Sequence, residues 1–348
     1  MHKMPHSNLV RFRRTMKKIL LLFAVLAIIG IAFWRISIAS GARLEKQCRV
    51  IMDTYVTIYA YGPKRTVSRA IDHAFERMQK VAKRFNAHDQ ASPIYAFNQK
   101  GTPIRDTEII NLVRVALEIS RASEGAFDIT VYPLVKLWGF YEDLPQEVAA
   151  PEKIKEILGN VGYKHLMISD TELKSDQENI AIDLGGIAKG YVVGQGVDAL
   201  KKEGISSAII QAGGDVYALG EKNSKPWNVG IRDPRGKGLL GYLQVKDTAV
   251  MGSGDYERYY VREGKRFHHI IDPKTGCPST GVSGVTVIYA DPAIADAWGT
   301  ALSVLGPEKG LKVIETIPGL EAIVVTNEGK VFYSAGLKQA LKTVSRKP

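Results

Sequence analysis

Several short stretches of the chain set reactive side chains at spacings that could do chemistry. In IDLGGIAKGY, Ile182 to Tyr191, a strand is expected to end at Asp183, turn through Gly185-Gly186 and enter a helix near Lys189. Glycines let backbone approach a ligand closely. A helix N-terminus with a nearby lysine suits a phosphate. The stretch does not fit the P-loop pattern, because Ile187-Ala188 precede Lys189 and Gly190 follows it. The same spacing also serves a tight strand-to-helix turn with a solvated lysine. In ADAWGTAL, Ala295 to Leu302, Asp296 and Thr300 stand four apart and would share one helix face. A carboxylate and a hydroxyl are hard oxygen ligands of the kind Mg²⁺ prefers, and Asp291 could assist. Alone, the pair also reads as a carboxylate near a helix N-terminus and an ordinary threonine. In HHIIDPKTGCPS, His268 and His269 precede the turn Asp272-Pro273-Lys274-Thr275-Gly276. A histidine there could move a proton near neutral pH or be incidental. SEGAFDITVYPLVKLWGF, Ser123 to Phe140, is rich in aromatics that could wall a flat ring or simply fill a core.

The elements that must position these residues follow from periodicity. Alternating apolar positions predict a strand over residues 49–61, stopped by Gly62-Pro63. Helical spacing marks 66–85 and 107–123, a proline opens a short helix at 151–158, and further helices are expected at 189–202 and 293–305. Strands are expected at 205–211, 215–219, 227–231, 240–245, 248–251, 258–261 and 284–289, with a hairpin over 322–333 around Asn327-Glu328-Gly329. Helices and strands intermingle without strict alternation, which predicts an α+β fold in one compact region of about residues 48–343.

The 348 residues carry a formal net charge of +11, but residues 1–44 hold eight of the 47 basic groups and no acid. The remainder is close to neutral, with 39 basic residues against 36 acidic ones, and no basic-aromatic stripe suggests nucleic-acid binding. Arg11, Arg13, Arg14, Lys17 and Lys18 precede an apolar run from Ile19 to Trp34. Its length lies between a signal-peptide core and a full span of ~20 residues. Positive charge in front of it predicts a cytoplasmic segment at 1–18, a single-pass anchor at 19–39, a linker at 40–47 and export of the rest. Cleavage after Ser37-Ile38-Ala39 is the alternative. Cys48 and Cys277 show no metal-type spacing and read as unpaired.

These stretches, in this order and together with MDTYVTIYAYG, QAGGDVYALG, WNVGIRDPR and MGSGDYERYY, resemble the ApbE family of FAD:protein FMN transferases from about Cys48 to Leu341. The resemblance implies an ApbE-like (T-fold-like) α+β fold of mixed sheets and helices with a flavin site between lobes. It implies binding of FAD and Mg²⁺, cleavage of the FAD diphosphate, and transfer of FMN to a Thr or Ser hydroxyl of an acceptor flavoprotein with release of AMP. An FAD pyrophosphatase and a non-catalytic, membrane-tethered flavin binder remain as alternatives. An acceptor outside the cytoplasm would fit a catalytic region on the periplasmic side of a bacterial inner membrane.

Carried over by position, the resemblance places Met52, His88, Ala126, Phe127, Asp128, Asp183, Lys189 and Ile270 at the FAD. It gives the metal the backbone carbonyl of Gly186 and the side chains of Asp296 and Thr300, and it makes His269 the candidate base. His88 stands where many members carry a stacking tyrosine. Gly299 stands where some carry a second aspartate, which implies fewer side-chain ligands and more water around the metal.

Overall fold

The computed structural model describes residues 43–141, 146–236 and 238–343. The expected basic segment 1–18 and anchor 19–39 lie outside the described residues. Among the described residues no helix is long and apolar enough to cross a membrane. The first described strand begins at Arg43, within the stretch expected as a linker.

An eight-stranded sheet organises the molecule. Apart from a separate two-stranded pair, β3 (Leu166–Ile168) and β4 (Leu173–Ser175), its strands in chain order are β1 (Arg43–Ile51), β2 (Thr54–Gly62), β5 (Ala208–Ala212), β6 (Asp215–Leu219), β9 (Thr248–Gly254), β12 (Val282–Tyr289), β13 (Glu321–Thr326) and β14 (Val331–Tyr333). They lie side by side in that same order, and every neighbouring pair is antiparallel. The period-2 alternation of strands sorts the core into two layers. In β13, Ala322 and Val324 face one layer while Ile323 and Val325 face the other. The first layer is closed by helices α1 (Lys64–Arg84), α3 (Thr107–Ala122), α6 (Gly185–Lys202) and α7 (Pro292–Ile314). The second is closed by a smaller sheet of β7 (Trp227–Arg232), β8 (Leu239–Val245) and β15 (Lys342–Thr343). Both faces of the central strands are therefore apolar, and the fold is α+β as the intermingled pattern predicts.

A third, smaller core joins α4 (Tyr132–Leu137) and α5 (Pro151–Leu158) to a hairpin of β10 (Tyr259–Arg262) and β11 (Lys265–His268). There Trp138, Phe267 and Tyr260 stack in series, with centroids 5.5 Å apart at each step. The aromatic run near residue 130 is thus partly packing.

Three local differences from the sequence expectation have physical causes. The strand expected over 49–61 is a hairpin, turning at Met52-Asp53, where both residues have positive φ (52° and 58°). A two-residue hairpin turn of this hand normally uses Asn-Gly or similar, so Met-Asp hides it. The last long helix runs past Leu305 to Ile314, because Gly306 at φ 74° absorbs the break that Pro307 imposes. Helix α2 (Pro93–Lys100) is an unforeseen element, capped by Ser92, whose hydroxyl accepts from the Ile94 N–H at 3.1 Å.

Candidate functional site

The N-terminal half of α6 crosses the N-terminal half of α7, and that crossing builds the site. It is close because of a glycine. A Cβ on Gly190 would collide with the Pro292 carbonyl and lie 2.8 Å from Asp296 Cβ. The Gly190 N–H instead donates to Asp296 Oδ2 at 2.8 Å. A carbonyl oxygen has two lone pairs, so the Gly186 carbonyl keeps capacity for a further partner beside any helical bond from the Gly190 N–H. One turn along α7, Thr300 approaches the same place: a Cβ on Gly186 would stand 3.1 Å from both Thr300 Oγ1 and Phe127 Cε2. Gly186, Asp296 and Thr300 therefore converge on one corner, walled by Phe127.

Lys189 enters this corner already paired. Its Nζ lies 2.6 Å from Asp215 Oδ2 at the start of β6 and 4.0 Å from Glu257 Oε2. Asp215 is 1% exposed, and its Oδ1 accepts from the Gly252 N–H at 2.6 Å. Burial lowers the Lys189 pKa, but the fields of Asp215, Asp296 and Glu257 outweigh it and hold the ammonium charged. Burial raises Asp296 to about 7, against the pull of Lys189 and the Gly190 N–H and with the push of Asp215 and Glu257. Loss of hydration likewise raises Glu257. Three carboxylates thus face one ammonium, a surplus of negative charge that a hard cation would relieve.

The donors fit such a cation: one carboxylate, one hydroxyl and one carbonyl, all oxygen. Among the described residues no group of three His, Cys, Asp or Glu side chains is arranged to hold a metal, so any such ion would depend on this mixed set and on water. Gly299 explains part of that economy. A Cβ there would stand 2.6 Å from Ser253 Oγ, so the serine occupies the space a second aspartate would need.

Two carboxylates expected to meet ligand are occupied locally. Asp291 caps α7, accepting from the Ala293 and Ile294 N–H groups at 2.8 and 3.1 Å. Asp128 is buried and accepts from Thr130 N–H, Thr130 Oγ1 and Tyr163 N–H at 2.6–2.8 Å, which leaves its side chain a structural task. Asp183 also caps, with Oδ1 accepting from the Gly185 N–H at 2.7 Å. The Ile187 and Ala188 N–H groups turn back on the Leu184 carbonyl, so the start of α6 offers a phosphate less than a bare helix end would. Asp183 Oδ2 accepts from the Tyr141 hydroxyl at 2.9 Å, and burial holds that phenol well above its ordinary pKa. His88 is exposed and packs edge-on against Tyr141 at 4.3 Å, with Tyr132 at 5.8 Å, so it joins an aromatic group beside Asp183.

His269 follows β11 and is half-buried, and its N–H and Nδ1 both face the Arg258 carbonyl at 3.1 and 3.3 Å. Loss of hydration, then the fields of His268, Arg258 and Lys189, lower its pKa to about 3. The imidazole is neutral at physiological pH. Arg258 reaches Asp53 at 3.8 Å, which ties this side to the Met52-Asp53 turn. Ala126 and Ile270 are buried, and the Ile270 carbonyl accepts from the Ser279 N–H at 2.9 Å.

The sequence model of the ApbE family matches residues 52–324. This chain belongs to the ApbE family. A FAD:protein FMN transferase of Treponema pallidum is 32% identical over 311 residues, covering 83% of this chain and 86% of its own length. Among solved structures, the ApbE protein of Thermotoga maritima superposes with a TM-score of 0.78 at 34% identity, over 86% of this chain and 99% of that one. The flavin transferase ApbE of Vibrio cholerae gives 0.76 at 29% identity, over 86% of this chain and all of that one. Within this family member, sequence reasoning left Asp215, Glu257, Tyr141 and Arg258 without a role. Asp215 lies in QAGGDVYALG and Glu257 and Arg258 lie in MGSGDYERYY, but only the fold brings Asp215 and Glu257 to Lys189.

Proposed function

We propose that this chain transfers FMN from FAD to a Ser or Thr hydroxyl of an acceptor flavoprotein, releasing AMP, with Mg²⁺ bound at the α6–α7 corner. The observation that carries the reading is the convergence of Gly186, Asp296 and Thr300 beside Lys189. It is supported by relatives named FAD:protein FMN transferase. Asp296, Thr300 and the Gly186 carbonyl would hold the Mg²⁺, which would supply charge neutralisation at the diphosphate and make its phosphorus more electrophilic. Lys189, kept charged by Asp215, would hold a phosphate oxygen. Phe127 walls the corner against water, and His88 with Tyr132 and Tyr141 offers aromatic surface for a flat ring.

The acceptor hydroxyl attacks the FMN-side phosphorus, the P–O bond to AMP breaks, and the hydroxyl proton needs an acceptor. His269 takes that role because its imidazole is neutral and can accept a proton. Its basicity is low in the free protein. An FAD pyrophosphatase would use the same corner with water as nucleophile. We also assign residues 19–39 to a single-pass anchor with the catalytic region on the periplasmic side, on the apolar run from Ile19 and the basic cluster that precedes it. The test is incubation with FAD, an acceptor flavoprotein and Mg²⁺, followed by in-gel flavin fluorescence. A covalent band that needs Mg²⁺ supports the transferase, and AMP release without any band points to hydrolysis.

A further inference from the structure

An enzyme that modifies a protein must hold it at the mouth of its site, and two hairpins supply a surface there. Of the nine large hydrophobic residues exposed among the described residues, five sit on these hairpins: Leu44 far from the Met52-Asp53 turn, and Val50 (60%), Tyr55 (74%), Tyr259 (43%) and Val261 (55%). Val50 and Tyr55 are direct cross-strand partners flanking the Met52-Asp53 turn. Tyr259 and Val261 lie on one face of β10, because the alternate residue Tyr260 points into the third core. Arg258 joins the two hairpins through Asp53 at 3.8 Å, and its carbonyl faces the His269 ring and N–H. The apolar rim therefore begins next to the proposed base.

The same rim is cationic. Between residues 258 and 266 the chain carries Arg258, Arg262, Lys265 and Arg266 against the single acid Glu263. Arg266 is matched by Asp255 at 3.1 Å. Arg262 and Lys265 make no ion pair among the described residues: Arg262 donates to the Gln146 carbonyl, and Lys265 lies over the Phe267 ring. Apolar side chains flanked by cations whose charge no carboxylate matches fit a peptide of opposite charge with apolar residues of its own.

We propose that the acceptor protein docks across the β1–β2 and β10–β11 tips, through a segment that places acidic and apolar side chains around its Ser or Thr. This rests on the transferase reading above. The test uses the full chain with FAD and Mg²⁺ and two threonine peptides, one flanked by Asp and Leu, the other by Lys and Leu. Covalent FMN is read by mass spectrometry, beside FAD affinity and melting temperature. The wild type should label the acidic peptide with a kcat/KM about tenfold or more above the basic one. Val50→Ser with Tyr55→Ser should raise KM for the acidic peptide about tenfold and leave FAD affinity unchanged. Arg262→Glu with Lys265→Glu should reverse the peptide preference. Leu239→Ser, an exposed residue of β8, is the control and should change nothing.

Equal labelling of both peptides, or a KM indifferent to the rim substitutions, overturns the proposal. So does a rim variant that disrupts self-association or vesicle binding with acceptor KM unchanged, because the occupant would then be a second copy or a membrane. Loss of FAD affinity in the rim variants at unchanged melting temperature would place the rim in the flavin site and also overturn it. Wild type that releases AMP and labels neither peptide nor an acceptor flavoprotein sinks the transferase reading itself, a separate outcome.

Discussion

In the α6–α7 corner the backbone holds the carboxylates: the Gly190 N–H fixes Asp296 at 2.8 Å and the Gly252 N–H fixes Asp215 at 2.6 Å. Around His269, by contrast, Arg258 is 56% exposed at its side chain and touches Asp53 only at 3.8 Å. His269 there is held through an arginine carbonyl rather than a carboxylate. The corner has little freedom and surplus negative charge; the histidine side has freedom and positive charge. A small, invariant ligand set such as a cation and a diphosphate suits the first, and a variable protein segment suits the second. Substitutions on the two sides should therefore fail differently.

The largest effect belongs to the corner. Asp296→Ala is expected to lower transfer by about 10³-fold or more, with loss of saturable Mg²⁺ dependence. The fold should survive, because ionising Asp296 costs free energy in the metal-free protein. Its raised pKa means the folded state binds more protons than the unfolded chain between the ordinary carboxylate range and about 7. Asp296→Asn should accordingly melt no lower than wild type at pH 8 without metal. A variant with near wild-type transfer would remove the metal from this corner. On the other side, His269→Ala should lower kcat by about 10²-fold, within the usual range for a general base, with Mg²⁺ affinity unchanged. If Mg²⁺ affinity fell as well, the two sides would not be separable.

The uneven legibility of the chain follows the same division. The glycine turn at 185–186 and the four-residue spacing of Asp296 and Thr300 are local patterns, and the corner they form is local to two helices. The stripes that make α1 and α3 amphipathic are equally local: Val67, Ala70, Ile71, Ala74, Phe75, Met78 and Val81 line one face of α1. Asp215 and Glu257 reach Lys189 only through the sheet and the loop after β9, so no spacing announces them. Carboxylates are visible as such in a sequence, but their tasks are not. Asp128, Asp183 and Asp291 all accept from N–H groups two or three residues ahead, the habit of caps, and only Asp183 also faces the aromatic group. The Met52-Asp53 turn is hidden because the alternation of β1 and β2 reads through it.

A smaller effect comes from pH. Metal binding at the corner needs Asp296 ionised, and its pKa is raised to about 7. The apparent Mg²⁺ affinity should rise with pH, by up to about tenfold per unit below 7, and level off above it. His269 is neutral above about 3, so it adds no acid limb between pH 5 and 8. At limiting Mg²⁺ the rate should fall as pH drops below 7; at saturating Mg²⁺ it should stay flat. A limb near 6.5 that persists at saturating Mg²⁺ would mean that bound substrate restores an ordinary histidine pKa, and the contrast between the two sides would narrow. For stability His269 has the opposite sign to Asp296: its lowered pKa leaves its contribution intact above about 6.5, and that contribution is lost as pH falls toward 3.

The smallest expected effect tests where Asp183 belongs. Its Oδ1 holds the start of α6, while its Oδ2 takes the Tyr141 hydroxyl at 2.9 Å. Tyr141→Phe keeps the ring against His88 and removes only that donor. A hydrogen bond to a charged group is worth about 1.5–3 kcal/mol, and water at a half-buried site replaces much of it, so a change of roughly fivefold is expected. If Asp183 faces the diphosphate, losing the donor leaves its negative charge less compensated. FAD affinity then weakens roughly fivefold while kcat and melting temperature hold. If Asp183 serves only as a cap, FAD affinity stays constant and the melting temperature drops by about 2 °C. Fluorescence titration of FAD beside thermal melting separates these outcomes. The first would extend the fixed, charged corner across the glycine turn to the aromatic group; the second would end it at Gly186.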